Sequence, residues 1–125
     1  MDSNYLSALS PRDMEPRRVR RALLGALRYG KPLVVDLADA DLWPALEEVF
    51  DRVHRGLLAT ITAGRVRREA EYAALVEDGD GPEYAVSAFH EDRLARFRLV
   101  VCTALRFPDD GLLEAMPVYR VKADA

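Results

Sequence analysis

From Pro16 onward, Val19, Ala22, Leu23, Ala26 and Leu27 recur at i, i+3, i+4, i+7 and i+8, with arginines between them. This spacing predicts an amphipathic helix over 16–29, with Pro16 at the first helical position and Gly30 as the stop. The pattern then changes to an uninterrupted apolar run, Leu33 to Leu37, opened by Pro32. Such a run is what a strand covered on both faces requires. A second helical period follows in Leu42, Leu46, Val49, Phe50 and Val53, with Trp43 and Pro44 in its first turn. Asp39 or Asp41 is the expected cap, and Glu47 and Glu48 lie near the favourable positive end. His54, Arg55 and Gly56 break the period, which resumes through Leu57, Leu58 and Ile61 until Gly64.

Beyond Arg65 the residues change character. Glu71 to Val76 and Tyr84 to Phe89 are rich in aromatic and β-branched residues and flank EDGDGP, which predicts a β-hairpin with a longer loop. Phe97 to Leu105, FRLVVCTAL, predicts a second buried strand; FPDDGLLEAMP reads as a loop, and the alternating VYRVKA as a final strand. Met1 to Met14 has no sustained period, so residues 1–15 are expected to be weakly ordered and 16–125 to form the domain. There is no internal repeat, heptad pattern or low-complexity tract. The order helix, strand, helix, hairpin, strand, strand implies an α/β fold whose two buried strands lie parallel through a crossover.

Composition adds limits. At 125 residues, 50% hydrophobic and 31% charged, the chain has the size and balance of one soluble domain. A net charge of −3 gives no reason to expect nucleic acid as a partner. The longest apolar runs fall well short of the roughly 20 residues needed to cross a bilayer, and the polar N-terminus does not read as a signal peptide. A single cysteine, Cys102, points to a reducing, intracellular and cytoplasmic setting. Its apolar neighbours predict a buried, inert thiol.

The candidate chemistry centres on KPLVVDLADADLW, where the first apolar run ends in Asp36. A residue at the carboxyl end of a parallel strand stands where open α/β sheets place their ligands. Arg17, Arg18, Arg20, Arg21 and Arg28 make the first helix a candidate interaction helix for calmodulin or an anionic surface, set against the plainer expectation of a solvated face. Glu77, Asp78 and Asp80 lack the ligand spacing of a calcium loop and read as a solvated turn. His54 and His90 have no spacing that completes a metal site, so no metal or cofactor is expected. VVDLADAD departs from the D-x-D strand of haloacid dehalogenase-like phosphatases, because Ala38 stands at the second aspartate position and Asp39 is one step off. No serine lies on a nucleophile elbow.

ALRYGKPLVVDLADADLWPALEEVF, FRLVVCTALRFP and LLEAMPVYRVKA together resemble the second half of a degenerate AAA module, most similar to the fifth such module of dynein heavy chains. The same block resembles the C-terminal region of IQ motif and ankyrin repeat domain-containing proteins. The resemblance spans roughly 16–123. It implies a partial, three-layer, P-loop NTPase-like fragment with a mostly parallel sheet and an inserted hairpin. Asp36 then falls at the Walker B aspartate, and Thr103 or Ala104 at sensor 1, as a remnant of a nucleotide and magnesium site. Leu37 replaces the glutamate that activates water, and no G-x-x-x-x-G-K-[ST] is present. The resemblance therefore implies a pseudo-ATPase: a non-enzymatic interaction or structural module of an ankyrin and IQ-type scaffold, with cytoskeletal or ciliary proteins or calmodulin as partners. It also implies sheet edges left unpaired where the Walker A strand would lie.

Overall fold

A computed structural model describes residues 4–121. Its centre is a three-stranded sheet in the order β1 (Tyr5–Ser7), β2 (Pro32–Asp36), β3 (Arg98–Cys102), with both pairings parallel. α1 (Pro16–Tyr29) connects β1 to β2. Between β2 and β3 run α2 (Trp43–Val53), α3 (Leu57–Thr62), α4 (Glu69–Ala73) and α5 (Glu91–Leu94), with 3₁₀ turns among them; α6 (Asp110–Ala115) follows β3. No helix among the described residues is long and apolar enough to cross a membrane.

α1 has the predicted bounds. Pro16 opens it, and Gly30 closes it in the left-handed region at φ 69°. Any side chain at Gly30 would also meet the Arg93 backbone carbonyl at 2.9 Å. Val19, Leu23 and Leu27 are wholly buried beneath the sheet residues Leu6, Leu33 and Val35, joined by Phe50 and Trp43 from α2.

Successive strands here step in one direction across the sheet. Right-handed crossovers then bring the connecting helices to the same face. Burial follows that rule: Leu6, Leu33 and Val35 are buried, whereas Tyr5, Val34, Asp36, Val100 and Cys102 on the other face are half-buried or exposed. The expectation that both apolar strands are covered on both faces is therefore corrected. Among the described residues β2 is central yet covered on one face, and β3 is an edge strand with alternating exposed and half-buried residues. Cys102 is exposed, contrary to the buried thiol expected.

Four more expectations change. Within the segment expected to be weakly ordered, Tyr5–Ser7 forms β1, with Leu6 wholly buried; three residues were too short a run to register as a period. The predicted hairpin is absent. Tyr72 and Leu75 are buried through a helix and its following turn, and the Tyr72 ring stacks on Phe89 at 4.6 Å between centroids. Tertiary burial of these rings overrides their β propensity. Asp39 and Asp41 are exposed and do not cap α2, whose N-cap is Leu42 with no side-chain cap bond. Val118 to Val121 forms no strand, Lys122 and Ala123 lie outside the described residues, and the loop before them contains α6. The sheet is thus parallel and the fold α/β as expected, without the inserted hairpin.

Candidate functional site

Parallel pairing brings Ser7, Asp36 and Cys102 into one cross-strand row at the carboxyl end of the sheet, on its open face. Asp36 uses both carboxylate oxygens within the chain: Oδ2 accepts from the Tyr5 hydroxyl and Oδ1 from the Ala38 amide, each at 2.8 Å. The hydrogen bond to Asp36 is the largest influence raising the Tyr5 pKa above its ordinary value, with desolvation and the Asp36 charge adding to it. Tyr5 is therefore held as a neutral phenol that donates. Ala38 stands at φ 53°, a strained position for a residue with a Cβ. Its amide is fixed by Asp36 and its carbonyl accepts from the Ala104 amide at 2.7 Å, so both neighbouring strands hold it there.

The two residues assigned to a nucleotide remnant part company at this edge. Asp36 pairs with Cys102, so strand alternation turns Thr103 toward the helix-covered side. The Thr103 hydroxyl accepts from the Leu105 amide at 3.1 Å. Leu37, at the position of a water-activating glutamate, is 2% exposed and belongs to the core. Among the described residues, no three of His, Cys, Asp and Glu converge as a metal-holding group.

The five arginines of α1 do not share one free face. Arg17 and Arg21 are exposed, but Arg20 is buried. Its guanidinium donates to both Asp80 carboxylate oxygens at 2.7 and 2.9 Å and to the Leu75 carbonyl at 3.1 Å, and it lies 3.0 Å from Glu77. Arg18 lies 3.6 Å from Asp13. Arg28 donates to the Glu83 carbonyl and lies 4.8 Å over the Tyr29 ring.

The acidic turn expected to be solvated is thus the anchor of the α4–α5 connection. Asp80 also accepts from the Glu77 amide at 2.7 Å, completing a capping box around the 3₁₀ turn Asp78–Asp80. The Arg20 hydrogen bonds are the main cause holding the Asp80 pKa down at about 2. Leu24, buried four residues after Arg20, was the available signal that the covered face of α1 extends under that arginine. Shallow clefts of about 330 and 320 Å³ flank this ion pair and do not touch Asp36. No protein-family model matches the chain, and no solved structure matches it.

Proposed function

We propose that this domain is a non-catalytic, AAA-like protein-interaction module, working inside the cell as part of an ankyrin and IQ-type scaffold. The observation that carries the proposal is a wholly parallel sheet with its helices on one face only. Parallel sheets are ordinarily covered on both faces, so the incompletely covered face and the β3 edge favour another protein surface as partner. The order in which the strands step across the sheet supports the AAA-like half module, since consecutive parallel strands lie side by side and are joined by helical crossovers, α1 and then α2 to α5. Leu37 in the core supports a non-catalytic reading, because the position after Asp36, where a water-activating carboxylate would stand, holds a buried apolar side chain.

The second reading is a remnant that binds Mg-nucleotide without turnover. It is favoured by the place of Asp36 at the carboxyl end of the central strand. Each Asp36 carboxylate oxygen accepts one hydrogen bond, from Tyr5 or from Ala38, and keeps a second lone pair for a cation. Thermal denaturation with and without Mg-ATP separates the two. The interaction module predicts no specific stabilisation; a rise in Tm that Asp36→Ala abolishes would establish the nucleotide reading instead.

A further inference from the structure

β3 carries two incomplete surfaces at once. Cys102 O accepts from the Leu37 amide and the Ala104 amide donates to Ala38, so the even-numbered residues of β3 direct their backbone groups at β2. By the same parity, the amides and carbonyls of Leu99 and Val101 face the open edge. Their side chains lie on the helix-covered side but stay half-buried, while Leu33 and Val35 beside them are wholly buried. The apolar layer therefore stops one strand short. Val100, facing the other way, is 40% exposed.

Arginines precede and follow this edge: Arg98 opens β3 with Arg96 before it, and Arg106 and Arg120 come after its end, with Arg120 donating to the Arg106 carbonyl at 3.4 Å. Arg67 donates to the Leu94 and Phe97 carbonyls and lies over the Phe97 ring. Among the described residues none of these five is in a carboxylate ion pair; the ion pairs lie at Arg18, Arg20 and Arg52. Burial, and then the charge of Arg98, lower the Arg67 pKa below its ordinary value, so cations here crowd one another in a chain of net charge −3.

We propose that the β3 edge binds an extended acidic segment of a partner protein as a fourth strand, with apolar side chains over Leu99 and Val101 and acidic ones alternating toward Arg98. Backbone hydrogen bonds supply the attachment, as in other strand-addition complexes, and the alternation supplies the specificity. The arginines favour an anionic partner and raise its rate of encounter. The inference rests on the interaction-module reading and names its partner by chemistry.

The test uses fluorescent nonapeptides, blocked at both ends, of alternating Glu and Val or alternating Lys and Val, with a ten-residue oligothymidylate as a plain polyanion. The Glu/Val peptide is expected to bind at least about tenfold tighter than the Lys/Val peptide. On binding, the Leu99 and Val101 amides should slow in hydrogen exchange. Arg98→Glu and Arg106→Glu, both at exposed positions, should each weaken Glu/Val binding and narrow its advantage over Lys/Val, because four of the five arginines remain. Equal binding of both peptides, no binding, or oligothymidylate binding as tightly without protection of those amides would each overturn the inference. Such a failure leaves the Mg-ATP result unchanged, so it is distinguishable from a failure of the interaction-module reading.

Discussion

At the scale of single residues, the Arg20–Asp80 pair is the most consequential contact. The two side chains are 8% and 5% exposed, so removing either leaves a charge with little solvent. Breaking a buried pair from one side costs about 3–5 kcal/mol, against about 5–15 kcal/mol for a whole domain. Asp80→Asn is therefore expected to lower the urea midpoint sharply, with Glu77 recovering part of the loss because it lies on the same guanidinium. The depressed Asp80 pKa also sets a pH dependence. Its stabilisation is present above the ordinary value of 3.8 and is lost as pH falls through about 2. Urea unfolding between pH 5 and pH 2 should show that loss, reduced in Asp80→Asn. Neither residue was legible as a partner in the sequence, since 60 positions separate them and each looks individually like surface.

At the scale of elements, legibility followed how far each segment decides its own conformation. α1 and α2 were readable because period, Pro and Gly agree, and β2 because its apolar run is bounded by Pro32 and Asp36. β1 has only three residues and exists through its pairing with β2. The apparent hairpin failed because Tyr72 and Phe89 find each other as stacked rings rather than as cross-strand neighbours. Two junctions give element-scale tests. Gly30→Ala places a Cβ in the left-handed region and against the Arg93 carbonyl. The backbone term alone is about 1–2 kcal/mol, so a drop in Tm larger than that of Gly56→Ala, where the space is open, is expected. Gly111→Ala would set a Cβ 3.0 Å from Trp43 Nε1, displacing α6. Trp43 is the single tryptophan and 2% exposed, so its emission should shift to longer wavelength.

At the scale of the molecule, the open side of the sheet organises the account. The sequence made β2 and β3 recognisable as strands, and their parallel pairing followed from the crossover. It could not reveal that coverage is one-sided, because an apolar run such as LVV reads alike in a central strand and in an edge awaiting a partner. Asp36 was found as the residue at the strand end, but its bond to Tyr5 depends on β1, the strand that the pattern did not disclose.

The most direct measurement is residue-resolved amide hydrogen exchange in the free protein. A three-stranded sheet with β3 as an open edge predicts slow exchange at Val100 and Cys102, whose amides face β2, and fast exchange at Leu99 and Val101. Protection of all four would mean that the edge is already paired, and would contradict the account.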